Sequence, residues 1–340
     1  MLFRYTPAQA AELAARADYI IGTVDLDETF TAFDPAIGRI GFNTATPLAR
    51  KALNGLDYAS NHRVVMVTGR PRQEAYEQIN HTRINHEMPV MLPIGAEYGA
   101  FYSPRESDFA VPVIAIDPTA QLANKAIQKL RDGFTAHAQR QGLTVVVQDT
   151  TELKCSVFFN PNQPDHNAAN IEPLIQEYIR QQDPSGEMLA QLVFKHGPSY
   201  VDVVWQKLSK YQPAKNILAA LMQTVPSDAR ILAIAAGDAG GDKPMFQAAT
   251  ELAGAHPNIT ALNIGVGQHL KDAQEINFSF AEATQPESVA AFTEFVTTGL
   301  LPAFCQSKLQ RKHIEPVSRK ANLADRAIRR IFHAQRHIVR

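Results

Sequence analysis

The chain is poor in cysteine and in long apolar runs, and its net charge is close to zero. Two cysteines, Cys155 and Cys305, among 340 residues exclude a disulfide-rich secreted scaffold and fit a reducing compartment. No apolar run approaches the roughly 18 residues of a membrane span, and the start of the chain lacks a signal-peptide pattern. These absences predict a cytoplasmic protein with no transmembrane segment.

The composition is that of a globular chain, with 45% hydrophobic and 20% charged residues. A length of 340 residues predicts two domains. The net charge of −1 argues against a protein wholly devoted to nucleic acid, but it hides an asymmetry. Residues 306–340 contain ten Lys or Arg and two acidic residues, a net of +8, so residues 1–305 carry −9.

Residues 306–340 form a basic carboxyl-terminal tail. Apolar residues such as Ile328, Ile331 and Phe332 follow helical spacing there, which predicts an amphipathic helix. Such a helix could bind an anionic partner (nucleic acid or a membrane) or a protein. Alternatively, its apolar side docks on the acidic body of the same chain.

Short apolar runs alternate with helical patterns at both ends of the body. Residues 19–24, 63–67, 231–235 and 259–264 resemble strands buried on both faces, whereas 46–54 and 243–252 space their apolar residues as helices do. This alternation predicts an α/β fold with a mostly parallel sheet. In such sheets ligands bind beyond the carboxyl ends of the strands.

The middle of the chain has a different pattern. Two predicted helices, 119–140 and 171–181, are each followed by two alternating strands, at 144–147 and 153–159 and then at 189–194 and 200–205. An α-β-β unit that occurs twice predicts a compact, mostly antiparallel insertion. We therefore predict a core of residues 1–113 and 205–305 that is interrupted by a second domain at 114–204.

Acidic residues follow the first and third of the four predicted core strands. Asp25 and Asp27 come after the first strand, and Asp238 and Asp242 flank glycines after the third. Carboxylates brought together at one sheet edge can share a hard divalent cation. Each pair alone also suits an ordinary turn, but their shared position at strand ends favours a common site.

A third polar segment follows the second strand. Thr68, Gly69 and Arg70 combine a hydroxyl, a permissive glycine and the free amides of a helix start, which together can hold a phosphate. A turn in which Thr68 caps the helix is the structural alternative.

In order and strand-end context these segments resemble motifs one, two and four of the haloacid dehalogenase superfamily of phosphotransferases. The third motif of that superfamily is a lysine near a helix start. Lys210 fits this position best, because Pro213 could open the following helix; Lys215 and Lys207 are alternatives. The resemblance implies a Rossmann-like parallel-sheet core with an inserted cap of αββ(αβ)αββ type.

The location of the insertion resembles the cap of the branch that contains Cof-type sugar phosphatases, sucrose-phosphate phosphatase and trehalose-phosphate phosphatase. Three positions depart from the patterns of the family: Glu28 replaces a common Gly, and Gly95 and Gly241 replace the usual Asn. The cap residues that we expect to contact substrate are Glu152, Lys154, His196 and Ser199.

The resemblance also implies a role for each core residue. Asp25 would be the nucleophile and Asp27 the general acid and base, while Thr68, Gly69, Arg70 and Lys210 would hold the phosphate. Asp25, the backbone carbonyl of Asp27, Asp238 and Asp242 would bind Mg²⁺.

The resulting hypothesis is a Mg²⁺-dependent phosphatase that hydrolyses a small phosphorylated metabolite, with a sugar phosphate favoured by the cap class. A phosphomutase of the same cap class is one alternative. A binding or recruitment protein that uses the basic tail is another.

Overall fold

The computed structural model describes residues 4–33, 43–70, 72–81, 83, 89–90, 92–95, 101–103, 111–112, 118–148, 151–197, 199–270 and 273–310. The chain divides into two compact units. The core unit comprises residues 1–113 and 209–340, and the inserted unit comprises 114–208. The second division thus falls after Leu208, whereas the sequence predicts it after residue 204, within a strand of the inserted unit.

The core unit contains a sheet of eight strands and a separate hairpin. The strands are β1 Tyr19–Val24, β2 Thr31–Phe33, β3 Asn43–Ala45, β4 Val64–Val67, β5 Ile94–Gly95, β6 Phe101–Ser103, β7 Val111–Pro112, β12 Ile231–Gly237, β13 Ile259–Val266 and β14 Phe278–Phe280. The order in the sheet is β14-β13-β12-β1-β4-β5-β6-β7, and the hairpin pairs β2 with β3. The six strands from β14 to β5 run parallel, and β6 and β7 add antiparallel pairs at one edge.

Helices lie on both faces of this sheet. They are α1 Pro7–Arg16, α2 Pro47–Ala59, α3 Arg72–Asn80, α6 Tyr211–Met222, α7 Lys243–Ala255, α8 Gln285–Phe295 and α9 Leu301–Gln310. Thr6, Thr46 and Thr284 cap α1, α2 and α8 through their side chains, and each of these helices has a proline in its first two positions. A hydroxyl acceptor and a preset φ angle explain why these helices begin where they do.

Two apolar layers enclose the sheet. Alternate residues of β1 and β12 enter opposite layers, so that Ile20 and Leu232 pack in one while Ile21 and Ala233 pack in the other. Because both faces of these strands are buried, their sequences are continuously apolar rather than alternating. The predicted parallel-sheet core is confirmed.

The inserted unit has the predicted α-β-β pattern, occurring twice. Its elements are α4 Pro118–Arg140, β8 Val145–Gln148, β9 Lys154–Phe159, α5 Ala168–Gln182, β10 Leu192–His196 and β11 Tyr200–Trp205. The four strands form an antiparallel sheet in the order β10-β11-β9-β8. Strand β10 begins at Leu192, later than predicted, because residues 189–191 form a 3-10 turn.

The end of the described chain is helical and apolar. Residues 285–309 are long and apolar enough to cross a membrane by length and composition, yet half of that apolar window is buried within the fold. Val289, Phe292 and Phe304 lie in one of the two apolar layers of the core unit, which is the position of a core helix. Of the predicted basic tail, residues 306–310 belong to α9 and the rest lies outside the described residues.

Candidate active site

Three neighbouring parallel strands deliver the predicted core residues to one edge of the sheet. Strand β1 lies between β12 and β4, and Asp25, Thr68 and Asp238 each follow directly after the end of one of these strands. The backbone amide of Asp25 donates to the carbonyl of Ala236 at 2.8 Å, so the register of β1 and β12 continues past the strand end. These residues are distant in sequence and meet because of the strand order.

A buried ion cluster lies at this edge. The ammonium of Lys210, at the start of α6, donates to Oδ1 of Asp25 at 2.5 Å and to Oδ1 of Asp242 at 2.6 Å. Asp25, Asp238 and Asp242 each offer an oxygen within 4.8 Å of the other two. All four side chains are almost fully buried. The cluster therefore combines three carboxylates with one ammonium away from bulk water.

Asp242 is fixed by the loop that carries it. Its Oδ2 accepts the backbone amides of Asp238 at 3.0 Å and Ala239 at 3.1 Å. Gly237 makes this close approach possible, because a Cβ there would lie 2.4 Å from Cβ of Asp242. The strand-end glycine is thus a steric requirement of the acidic cluster.

The electrostatics of the cluster favour an additional cation. Burial, followed by the charge of Asp242, raises the pKa of Asp25 to about 7. Burial, followed by the charges of Asp25, Asp242 and Glu28, raises the pKa of Asp238 to about 10. Although burial lowers the pKa of Lys210, the neighbouring carboxylates Asp242 and Asp25 raise it above its ordinary value. The site therefore resists full ionisation in the absence of a counterion.

A divalent cation fits this donor set. With every group ionised, the three carboxylates and one ammonium carry a net charge of −2, which a single divalent ion would balance. Their oxygens are the hard ligands that Mg²⁺ prefers. Asp25, Asp238 and Asp242 are the residues that would hold it.

Asp27 lies in a second polar group beside this cluster. Its carboxylate accepts Nε of Arg70 at 3.0 Å on Oδ2 and Nη2 of Arg70 at 3.1 Å on Oδ1. Asn43 of β3 donates to the same Oδ1 at 3.3 Å, and Nη1 of Arg70 donates to Glu74 at 2.6 Å. The Arg70 guanidinium, expected from sequence to hold phosphate, is thus bound to two carboxylates.

Thr68 and Gly69 form the turn that follows β4. The fully buried Thr68 donates its backbone amide to the carbonyl of Gly95 at 3.1 Å, and its hydroxyl accepts the amide of Arg70 at 3.1 Å. The sequence prediction that this turn holds phosphate stays a prediction. The structure shows that the turn is anchored to β5 at the position where the family has its usual Asn.

The structure distinguishes between the three candidate lysines. Lys210 contacts Asp25, whereas Lys215 is exposed on α6 and contacts Tyr211 and Glu251. Lys207 belongs to the inserted unit, where its ammonium lies over the ring of Trp205. The lysine at the helix start is therefore the one in the ion cluster.

Glu28 occupies the position where the family commonly has Gly. Its φ of 54° lies in the left-handed region, which glycine adopts without steric cost. The side-chain amide of Gln285 donates to the Glu28 carbonyl at 2.6 Å and to that of Val266 at 3.1 Å, and these bonds hold the turn. Glu28 therefore holds a backbone conformation that costs energy for a residue other than glycine.

The four predicted substrate contacts of the inserted unit do not form one cluster. Lys154 pairs with Asp202 at 3.0 Å on the sheet face opposite the helices, where Ser156 also bonds Asp202 at 2.5 Å. His196 instead reaches Glu172 of α5 at 2.5 Å, on the helix-covered face. Lys154 and His196 therefore lie on opposite faces of this sheet, and their expected contact with substrate stays a prediction.

Glu152 and Ser199 lie near the ends of the strands of the inserted sheet. Glu152 is exposed before β9, and Ser199 is half-buried before β11, with its carbonyl accepting the amide of Phe159 at 2.9 Å. Their expected contact with substrate stays a prediction. Sequence reasoning missed Asp202 and Asn43, for which the sequence offers no motif, and it missed the link between Arg70 and Glu74, which their spacing of four residues could have suggested.

Comparisons with known proteins identify the fold. No family model and no curated protein matched the sequence. The structure is similar to the C-terminal domain of the trehalose-6-phosphate phosphatase of C. albicans, at a TM-score of 0.59 and 14% identity, covering 87% of this chain and 98% of that one. It is also similar to Aspergillus fumigatus trehalose-6-phosphate phosphatase, at a TM-score of 0.50 and 14% identity over 88% and 100% of the two chains.

A third similar structure carries a different description. The C-terminal domain of the Candida albicans trehalose synthase regulatory protein matches at a TM-score of 0.55 and 8% identity over 87% of this chain and 99% of that one. Because this fold is shared by proteins described as phosphatases and by one described as regulatory, the fold by itself does not define an activity. The chain has the predicted haloacid dehalogenase-like fold, which it shares with solved trehalose-6-phosphate phosphatases.

Proposed function

We propose that this protein is a Mg²⁺-dependent phosphatase that hydrolyses a small phosphorylated metabolite through an aspartyl-phosphate intermediate. The buried cluster of Asp25, Asp238, Asp242 and Lys210 carries this proposal. A purely structural cluster would gain little from three carboxylates that burial disfavours in their ionised forms. A site that binds a metal ion and a phosphate explains why they are retained together.

The residues of the core unit have distinct tasks in the proposed reaction. Asp25 attacks the phosphorus, and Asp27 gives a proton to the leaving oxygen and later takes one from the attacking water. Lys210 holds Asp25 in place and offers positive charge beside the phosphoryl group, while Thr68 contributes its turn to phosphate binding. When bound, Mg²⁺ supplies further charge neutralisation for the phosphate.

Phosphate release from a panel of sugar phosphates and p-nitrophenyl phosphate tests the proposal. We expect turnover that requires Mg²⁺, stops with a chelator and is abolished in Asp25→Asn. Asp18→Asn is the matched control, because Asp18 belongs to the same unit but pairs with Arg230 before β1. A folded protein that hydrolyses neither kind of substrate in the presence of Mg²⁺ would overturn the proposal.

We propose a sugar phosphate as the substrate class. The solved structures that share the fold include proteins described as trehalose-6-phosphate phosphatases. Lys154, Ser156 and Asp202 offer donors and acceptors on the face of the inserted sheet opposite its helices, the chemistry that recognises hydroxyl groups. Lys154→Ala should raise KM for the best sugar phosphate more than KM for p-nitrophenyl phosphate. The corresponding control is His196→Ala, on the opposite face, and equal effects of the two variants would contradict this assignment.

The basic tail is proposed as a separate binding segment for an anionic or protein partner. Its predicted start at residue 306 falls inside α9, where Lys308 lies over the rings of Tyr19 and Phe304. A truncation should therefore end at Gln310. Loss of salt-dependent binding to nucleic acid or anionic vesicles with unchanged turnover would support the proposal, whereas lost activity would favour docking on the body.

A further inference from the structure

The carboxylate of Asp27 is held by more than one donor. Arg70 binds it in a two-pronged geometry, with Nε on Oδ2 and Nη2 on Oδ1, and Asn43 adds a third hydrogen bond on Oδ1. The paired side chains of Asp27 and Arg70 are both largely shielded, at 27% and 19% exposure. A planar fork of this kind fixes the plane of the carboxylate as well as its position.

Arg70 is itself held in place from two sides. Its Nη1 donates to Glu74 of α3 at 2.6 Å, and Gln78, one turn later, donates to the same oxygen of Glu74 at 3.5 Å. The backbone amide of Arg70 donates to the hydroxyl of Thr68. The guanidinium therefore reaches Asp27 from a fixed backbone and with a fixed side-chain orientation, which reduces the conformational entropy lost on orienting Asp27.

The hydrogen-bond acceptor sites of the Asp27 carboxylate show which of its oxygens is available for proton transfer. An ionised carboxylate has about four lone-pair sites. Arg70 and Asn43 take both sites on Oδ1, and Nε of Arg70 takes one on Oδ2. One site on Oδ2 is not used by these three hydrogen bonds, and it is the position from which a proton can be exchanged.

We infer that Arg70 is a positioning residue that acts through Asp27 and aims its Oδ2 at the leaving oxygen of the substrate. The inference rests on the proposed phosphatase function and adds to it, because sequence reasoning expected Arg70 to hold phosphate. In the first step an oxygen of Asp25 forms the new bond to phosphorus. The bond from phosphorus to the sugar oxygen breaks with its electron pair on that oxygen. That oxygen takes a proton from Asp27, which enters this step in its neutral form with the proton on the remaining site of Oδ2.

Dependence of kcat/KM on the leaving group separates positioning from a general loss of structure. A good leaving group such as p-nitrophenolate departs without a proton, whereas the oxygens of phenol and of a sugar need one. In Arg70→Gln we expect kcat/KM for phenyl phosphate and for the best sugar phosphate to fall at least about tenfold more than that for p-nitrophenyl phosphate. Because kcat/KM reports the steps up to the first irreversible one, later hydrolysis of the aspartyl-phosphate does not enter the comparison.

Two further variants and a control complete the test. Arg70→Lys keeps the charge but not the fork, so it should behave like Arg70→Gln if geometry is decisive. Asp27→Asn combined with Arg70→Gln should be no slower than Asp27→Asn alone, because Arg70 acts through Asp27. Arg230→Gln breaks a second two-pronged pair of the core unit, with Asp18, and should leave the leaving-group dependence unchanged.

The outcomes separate this inference from the proposed function. If the wild-type protein hydrolyses none of the esters, the phosphatase proposal fails and Arg70 has no proton transfer to assist. If the wild type is active and Arg70→Gln slows all esters equally, or if the two substitutions are additive, the positioning role is wrong while the phosphatase function stands.

Discussion

The ammonium of Lys210 lies 2.5 Å from Oδ1 of Asp25 and 2.6 Å from Oδ1 of Asp242, although Lys210 belongs to a helix start and the two aspartates follow different strands. One buried cation thus joins the carboxyl ends of β1 and β12. Because each ion is almost fully shielded from water, removing the cation leaves buried carboxylates without the charge that compensates them.

Replacing Lys210 should damage both stability and activity. We expect Lys210→Met to lower the free energy of unfolding by about 3 to 5 kcal/mol, because it leaves uncompensated buried charge. The rate of phosphate release should fall by about 10² or more, the scale of losing one oriented electrostatic contact. Urea denaturation and steady-state kinetics measure the two effects.

Lys215→Met is the matched control for that variant. Lys215 lies on the same helix, but its side chain is 52% exposed, and its ion pair with Glu251 spans 3.3 Å. Such an exposed pair contributes little to the free energy of unfolding, because solvent screens it. Similar losses of stability and activity in the two variants would contradict the prediction that the buried ion cluster at Lys210 is responsible.

The buried aspartates should make stability depend on pH. A carboxyl group whose pKa is raised on folding binds more protons in the folded state, so its contribution weakens as pH rises. The stabilising contribution of Asp25 is lost between about pH 4 and about pH 7, and that of Asp238 between about pH 4 and about pH 10. The metal-free protein should therefore unfold more readily at pH 8 than at pH 5.

Two comparisons isolate the cluster from other titrating groups. The free energy of unfolding of Asp238→Asn should rise relative to that of the wild type as pH increases from 5 to 9. Added Mg²⁺ should reduce the pH dependence of the wild type, because the ion favours the ionised carboxylates. Thermal or urea unfolding at several pH values provides the measurement. A stability difference between variant and wild type that is constant with pH would refute the linkage.

Gly237 should be intolerant of even one added carbon. The Cβ of an alanine would lie 2.4 Å from Cβ and 2.5 Å from Cγ of Asp242, which would have to move away from Lys210 and the loop amides. Displacements near 1 Å at catalytic groups cost about 100-fold in rate. We expect a loss of this size in kcat/KM for Gly237→Ala.

Gly240→Ala provides the control for this steric prediction. A Cβ at Gly240 has no neighbour within 4 Å, although the residue belongs to the same loop. Its activity should stay within a few-fold of wild type. Equal losses in both glycine variants would indicate that general loop stiffness, rather than the clash with Asp242, is responsible.

The left-handed backbone conformation of Glu28 predicts how substitutions at this position change stability. Because φ is 54°, Glu28→Gly should be more stable than Glu28→Ala by about 1 kcal/mol, as measured by urea denaturation. The comparison of the two variants removes the effect of the lost charge. At Glu12, within the exposed face of α1, the order should reverse, with alanine more stable than glycine.

Local sequence patterns were sufficient to predict the main helices and strands of both units. The continuous apolar runs at β1, β4, β12 and β13 predict their parallel strands, since burial on two faces leaves no place for polar side chains. The strand-end positions of Asp25 and Asp238 likewise predict their meeting.

Contacts between distant side chains could not be predicted in this way. Nothing in the sequence near Arg70 indicates that its guanidinium reaches Asp27, because that contact depends on the spacing of β1 and β4 and on the entry angle of α3. The placement of Lys154 and His196 on opposite faces of their sheet could not be predicted for a related reason. One residue along a strand changes the face to which a side chain belongs, and predicted strand ends are not accurate to one residue.

The position of β12 beside β1 has a consequence for synthesis of the protein. These adjacent strands are separated in sequence by the whole inserted unit. During synthesis, β1 therefore cannot pair with β12 until more than two hundred further residues have been made. Lys210 and Asp242 are also made after the inserted unit. A nascent chain that ends before residue 231 thus leaves one edge of β1 without its neighbour and lacks two of the three cluster carboxylates, so the acidic cluster is among the last parts of the core unit to be completed.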